Sequence, residues 1–309
     1  MKVSVLIITY NHEKFIAQAL DSALMQKTNF DYEIVVGEDC SSDHTREIVR
    51  RYQQNHKKNI RLLLPEQNLG MLKNFVSTFR ECKGQYIALL EGDDYWTDPD
   101  KLQKQTDFLD LHPESALCFH NVNVIYDSSP RRSRPFHRFK LKKYFTLRDI
   151  VSKHFIPTCS TMFRNRLFKD FPEWFYTLPM GDWPLHVLNA EHGTAGYINE
   201  LMGTYRVHAG GQWSLARRIT ILNDTIRAAT TIDQYLNHRF HNNMNNLIAG
   251  CHCEIAKNLL QEKDYDGAFF HASQALMLAQ PYNLVVKALS AKITVETALF
   301  KFMSPKSRN

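Results

Sequence analysis

Val3-Ser4-Val5-Leu6-Ile7-Ile8-Thr9-Tyr10-Asn11 is an apolar, largely β-branched run, broken only by Ser4, that turns polar at Thr9. A run without strict alternation reads as a strand covered on both faces, as in a parallel sheet. Asn11 is placed to cap a helix, and Phe15, Ile16, Ala19, Leu20, Ala23 and Leu24 come next at helical spacing. The alternation continues outward. A second apolar run covers 32–36, a polar turn 37–43, and a helical pattern 45–54. A third strand at 60–64, a helix at 71–81 and a fourth strand at 86–90, ending in acids, complete four strands alternating with three helices. Such alternation predicts an α/β domain with a mainly parallel sheet flanked by helices.

Beyond residue 100 the regularity fades. A helix over 101–111, a strand over 116–126 and a Ser-Pro-Arg-rich loop over 128–138 are expected. From about residue 215 the composition turns helical. Leu259, Leu260, Ala268, Phe269, Ala272, Ala275, Leu276 and Pro281 resemble one tetratricopeptide-type helical hairpin, with no second copy to build a solenoid. The expected organisation is a catalytic α/β domain at 1–213 and a C-terminal α-helical region at 214–309.

At 309 residues the chain is long enough to bury a full core without disulfide or metal staples. With 44% hydrophobic and 23% charged residues, disorder, collagen-like repeats and a disulfide scaffold are excluded as descriptions of the whole chain. The six cysteines have no paired spacing and read as reduced thiols. The first apolar run is too short for a signal peptide, and no stretch reaches the ~18 apolar residues of a membrane span. A cytoplasmic protein is therefore expected.

The net charge of +6 is local. Arg131, Arg132, Arg134, Arg138, Lys140, Lys142 and Lys143 fall in one stretch without an acid, and the remainder carries 31 basic against 32 acidic residues. A solvated loop or a surface drawn to anionic lipid fits this patch, giving a peripheral membrane contact. A nucleic-acid arm fits less well, because only Phe136 and Phe139 could stack and no nucleic-acid module is present; no nucleic-acid partner is expected. Residues 285–303 are apolar but interrupted by lysines, which suits a packed amphipathic helix or one lying on a membrane surface.

Open α/β sheets bind ligands at the carboxyl ends of their strands. The four predicted strands run out into Thr9-Tyr10-Asn11, Glu38-Asp39-Cys40-Ser41-Ser42-Asp43, Asn68-Leu69-Gly70 and Glu91-Gly92-Asp93-Asp94, in that order. No GxGxxG succeeds the first strand and no GxxxxGK[ST] occurs, which argues against a Rossmann dehydrogenase or a P-loop phosphotransferase. Acids converging at one sheet edge suit a divalent cation, Mn²⁺ or Mg²⁺, holding a diphosphate. Asp43 reads as a helix cap instead.

These four segments, in this order, resemble the signatures of glycosyltransferase family 2, over roughly residues 1–213. The resemblance implies a GT-A fold and an inverting, non-processive glycosyltransferase. Such an enzyme moves one sugar from a nucleoside-diphosphate donor, expected to be a UDP-sugar, to a hydroxyl of a glycan or glycolipid. It places Thr9 and Asn11 beside the nucleotide, and Asp39 on the pyrimidine base with Glu38 beside it. It also places Lys73 near the base or diphosphate, Asp93 towards the ribose and Asp94 on the metal. A role in bacterial cell-surface polysaccharide synthesis is implied by family habit.

Asp182, in Met180-Gly181-Asp182-Trp183-Pro184, matches the family's catalytic base, and a helix N-cap is compatible with that role. In Tyr205-Arg206-Val207-His208, the histidine is expected to complete the metal shell or contact the diphosphate. Trp213, after Gly210-Gly211-Gln212, is placed as a lid. Trp96, His120, Asn121, Pro157, Thr158 and Ser160 fall where an acceptor site is lined. The competing reading is a non-catalytic interaction protein on the same scaffold, working through the basic patch and the helical tail.

Overall fold

A computed structural model describes residues 1–127, 131–211, 218–281 and 283–303, with side chains to residue 298. The strands β1 (Val3–Thr9), β2 (Tyr32–Glu38), β3 (Ile60–Leu63) and β4 (Tyr86–Glu91) lie parallel in the order β3-β2-β1-β4. Helices α1 (Ile16–Leu24), α2 (Thr45–Asn55) and α3 (Met71–Glu81) connect them. The opening run is largely apolar because both its faces are covered, and the buried Ser4 donates to Glu33 at 2.6 Å. Val3, Val5 and Ile7 pack with Ile16, Ala19, Leu20 and Ala23 of α1 and Val49 of α2. On β2, Gly37 meets α3: a Cβ there would lie 2.0 Å from Thr78 Oγ1 and 2.6 Å from Asn74 Oδ1. Each fully buried Val, Ile or Leu side chain contributes roughly 1.5–3 kcal/mol relative to exposure.

Helix α1 starts at Ile16, and Asn11 does not cap it. Asn11 takes a left-handed conformation (φ 55°), which asparagine tolerates, and its Oδ1 accepts a hydrogen bond from Ser42 N at 2.9 Å. It therefore ties the loop after β1 to the loop after β2. Asp43 accepts from Thr45 N at the start of α2 and from Glu13 N.

After β4 come β5 (Tyr95–Trp96), α4 (Lys101–Leu111), β6 (Ser115–Tyr126), β7 (Arg134–Pro135), β8 (Tyr144–Phe145), α5 (Leu147–Ser152), β9 (Met162–Arg164), α6 (Asp182–Ala190) and β10 (Thr194–Val207). Strand β9 runs antiparallel between β4 and β6 and carries the sheet on to β10 and β5. Strand β10 pairs with β6 along its length, with register shifts between Ile198 and Gly203. That irregularity re-aims its second half, which delivers Arg206 to the turn after β4.

The chain divides into two compact units: Met1–Ile150 with Phe155–Thr177 and Gly181–Ser214, and Val151–His154 with Leu178–Met180 and Leu215–Asn309. The second contains α7 (Arg218–Tyr235), α8 (His241–Gln261), α9 (Tyr265–Leu278) and α10 (Leu284–Met303). Ala256, Ala268, Ala272 and Ile293 form its small-residue core, and Asp264 caps α9 by accepting from Gly267 N at 2.9 Å. All six cysteines are free thiols. No described helix is long and apolar enough to cross a membrane.

Lys101 is fully buried, and its Nζ lies 3.6 Å from the centre of the Trp96 ring without a hydrogen-bond partner. Burial lowers its pKa to about 7 from the ~10.4 of an unfolded lysine. Between those values the unfolded chain binds more protons than the folded one, so this residue's penalty is full below pH 7 and relaxes as pH rises. Lys101→Met, similar in volume and uncharged, is expected to raise the melting temperature at pH 7. The gap to wild type should narrow by pH 9.5. Calorimetric melts of both proteins across that range check it; a constant gap would show that charge burial is not the cause.

Candidate active site

The carboxyl ends of β1, β2 and β4 are held against one another by side chains. Thr9, buried at the end of β1, lies 3.3 Å from His12 Nδ1 through its hydroxyl. A Cβ on Gly92 would meet Thr9 Oγ1 at 2.5 Å and His12 Nδ1 at 2.9 Å, so only glycine lets the turn after β4 approach β1 this closely. At the end of β2, Glu38 is fully buried, pairs with Arg46 and accepts from Ser41 N at 2.7 Å. Its neighbour Asp39 accepts Leu69 N at 2.7 Å on one oxygen and Gly70 N at 3.0 Å on the other. Desolvation raises the Asp39 pKa, against the opposing pull of those two amides. Asn68 closes the cradle by donating to the Asp39 carbonyl at 2.9 Å. Lys73 stands exposed on the first turn of α3, three residues beyond this loop.

The acids after β4 take different environments. Asp94 is 2% exposed and turned inward, and its Oδ1 accepts from Arg206 N at 2.8 Å. Desolvation and then the charge of Asp93 push its pKa well above the carboxylate range. Asp93 reaches outward, with Oδ2 at 3.0 Å from His208 Nε2 and 3.8 Å from His12 Nε2. Burial raises the Asp93 pKa, but the His208 hydrogen bond and the two histidine charges outweigh it and leave the group below its usual value. His12 is lowered, chiefly by burial. Gly210 N donates to His208 Nδ1 at 3.2 Å, while Nε2 faces Asp93.

Arg206 clamps the turn. Its Nε donates to the Asp93 carbonyl at 2.9 Å, its Nη2 to Gln18 at 2.6 Å, and its guanidinium lies 4.6 Å from the centre of the Phe15 ring. Glu91 faces the same acids, and its Oε2 is buried without a partner. Desolvation, then Asp94, Asp93 and Asp182, drive its pKa far upward. Asp182 therefore lies in the same field as the β4 acids, although it comes from α6. It opens that helix, its Oδ1 accepts from Trp183 N at 2.8 Å, and Thr158 donates to its Oδ2 at 3.4 Å. The Trp183 ring is anchored beneath through Nε1 to Ile150 O.

The aromatic and acceptor expectations fare unevenly. Trp96 is 1% exposed and donates its indole N–H to Cys159 O at 2.8 Å, so it supports the site from below instead of lining it. His120 is equally enclosed, its pKa lowered to about 3 by burial. Asn121 spends its amide on the His137 backbone, and Ser160 donates to Pro157 O. Thr158 bonds an acid of the site, Asp182. Trp213 lies outside the described residues. His12 and Glu91 join the site although their sequence context assigns them no role; their strand-end positions are the available signal.

The ligand atoms of His12, Asp93 and His208 all lie within 4.8 Å of one another, a donor set that fits a divalent cation. A second His/Asp group, Asp233 with His238 and His241, reads as a hydrogen-bond network: both Nδ1 atoms approach one Asp233 oxygen at 2.7–2.8 Å, while Asn245 Nδ2 lies 3.0 Å from His241 Nε2.

A parallel-to-mixed sheet with acids at its carboxyl edge and a further acid from a late helix is the GT-A architecture. The chain belongs to glycosyl transferase family 2, whose pattern matches residues 4–174. It is 37% identical over 215 residues to the uncharacterized protein Rv1520 of Mycobacterium tuberculosis, covering 69% of this chain and 61% of that protein. The poly(ribitol-phosphate) β-N-acetylglucosaminyltransferase TarS of Staphylococcus aureus is 35% identical over 121 residues, 38% of this chain and 20% of that one. The crystal structure of TarS residues 1–349 with UDP-GlcNAc covers all of this chain and 93% of that one, with a TM-score of 0.66 and 19% identity. The mannosyltransferase PcManGT from Pyrobaculum calidifontis, solved with GDP-Man and Mn²⁺, covers 99% of this chain and 88% of that one, with a TM-score of 0.57 and 17% identity.

Proposed function

We propose that this glycosyltransferase moves one sugar, with inversion, from a UDP-sugar to a hydroxyl of a glycan or glycolipid acceptor in polysaccharide synthesis. The observation that carries the reading is the shared field of Glu91, Asp93, Asp94 and Asp182 at the strand edge. Asp39, with the 68–70 loop, receives the pyrimidine base; Thr9 and Asn11 border the nucleotide, Glu38 and Arg46 brace Asp39's loop, and Lys73 reaches towards the diphosphate. Asp93 holds the cation, with His208 and His12 beside it, and Asp94 positions the turn through Arg206. A carboxylate with two imidazoles favours Mn²⁺ over Mg²⁺, which prefers an all-oxygen shell. When bound, the cation neutralises the charge that develops on the departing diphosphate.

Asp182 acts as general base. Its carboxylate takes the acceptor hydroxyl's proton while that oxygen attacks the anomeric carbon from the face opposite the diphosphate. The new C–O bond forms as the bond to the phosphate oxygen breaks, and the electron pair leaves with the nucleoside diphosphate. The UDP-GlcNAc and UDP complexes of TarS support the choice of donor. Assaying nucleoside diphosphate release from a panel of nucleotide sugars, with and without Mn²⁺, tests the reading. Mn²⁺-dependent release from a UDP-sugar is expected. If no donor turns over and UDP with Mn²⁺ fails to bind by calorimetry, the proposal is wrong.

A further inference from the structure

We infer that the loop at residues 138–143 docks the catalytic unit onto an anionic lipid surface, with Phe139 as its membrane-inserted tip. Phe139 is 84% exposed, and Arg138, Lys140, Lys142 and Lys143 around it are exposed as well. Within 131–143 there are seven cations and no acid. A bare aromatic ring ringed by cations is the surface that partitions into a headgroup layer, the ring into the acyl boundary and the charges among phosphates.

The loop is held firmly at its base, so the tip is presented and not collapsed. Phe136 packs into the core of the sheet, and its N–H donates to Val122 O at 2.8 Å. Asn121 grips the next residue twice, accepting from His137 N at 3.0 Å and donating to His137 O at 2.9 Å. On the far side, Lys142 pairs with Asp149 and β8 joins β10 at Ala195 and Gly196. The segment leading into the loop starts near the acid end of β10, where Val124 has Arg134 of β7 on one side and Tyr205 on the other, and the loop returns to the sheet at the start of β10. Docking brings membrane-carried hydroxyls to the unit that holds the acids. The docking needs no assumption about catalysis; only the conclusion that the acceptor is membrane-carried rests on the glycosyl-transfer reading.

Co-sedimentation of the full chain with vesicles, in the absence of donor, tests the docking independently of turnover. Vesicles of phosphatidylcholine with phosphatidylglycerol should pellet the protein, pure phosphatidylcholine should not, and added salt should release it. Phe139→Ala should weaken binding about tenfold through lost apolar burial. Arg138→Ala with Lys140→Ala should weaken it about 25-fold, at about fivefold per cation. Both variants alter exposed side chains, and their melting curves confirm folding. Vesicle binding indifferent to both variants would overturn the assignment, as would no vesicle binding at all. Retention on soluble polyphosphate or RNA that depends on the cations but not on Phe139, without vesicle binding, would reassign the loop to a polyanionic polymer.

Discussion

Asp182→Asn is expected to cut sugar transfer by two to four orders of magnitude while leaving UDP and Mn²⁺ affinity unchanged. The substitution keeps the shape and the contact from Trp183 N to Oδ1, which an amide oxygen can still accept. What it removes is the capacity to take a proton. General-base catalysis contributes roughly 10²–10⁴-fold in rate, and no other acid of the cluster can replace Asp182. Asp94 is turned to Arg206 N, Asp93 to its two histidines, and Glu91 has its pKa driven far upward, which makes it a poor base at neutral pH. Single-turnover transfer measured beside calorimetric UDP binding separates the two effects. A loss of donor affinity equal to the loss of rate would assign Asp182 to binding; unchanged transfer would remove it from the chemistry altogether.

The first four strands and three helices are legible because each signal is local. Strands covered on both faces are apolar at nearly every position, and the helices repeat at 3.6 residues on the side facing them. Strand β10 is not legible: Gly196 and Gly203 interrupt it, polar Asn199 and Glu200 sit between, and its partner β6 lies some 80 residues earlier. Pairing that distant leaves no period to read. The site divides along the same line. Acids at strand ends are visible in sequence, but which of Asp93 and Asp94 faces outward is decided by an N–H from Arg206, 112 residues away. Trp96 beside two acids suggests a sugar platform, yet its indole is committed to Cys159 O and Lys101, contacts that only the folded sheet creates. Asn11 resembles a cap because asparagine suits both caps and left-handed turns, and here the turn wins.

That division between the two aspartates leads to the second large effect. Asp93→Asn should abolish the strengthening of UDP binding by Mn²⁺ and lower Mn²⁺-dependent turnover on the order of 10²–10³-fold, since a bound cation supplies several kcal/mol to a departing diphosphate. UDP should still bind without metal through the Asp39 cradle, because those contacts lie on β2 and the 68–70 loop. Asp94→Asn should behave differently. Its amide oxygen can still accept from Arg206 N, so the turn is kept and Mn²⁺ dependence survives with a modest loss of rate. Asp94→Ala breaks that anchor and should lower both the melting temperature and activity. His208→Ala should behave like Asp93→Asn in weaker form, for its Nε2 faces the same Asp93 oxygen. Titrating UDP into each variant with and without Mn²⁺ distinguishes the assignments. Mn²⁺ dependence lost in Asp94→Asn and retained in Asp93→Asn would move the cation to Asp94 and make Asp93 the residue that faces the ribose.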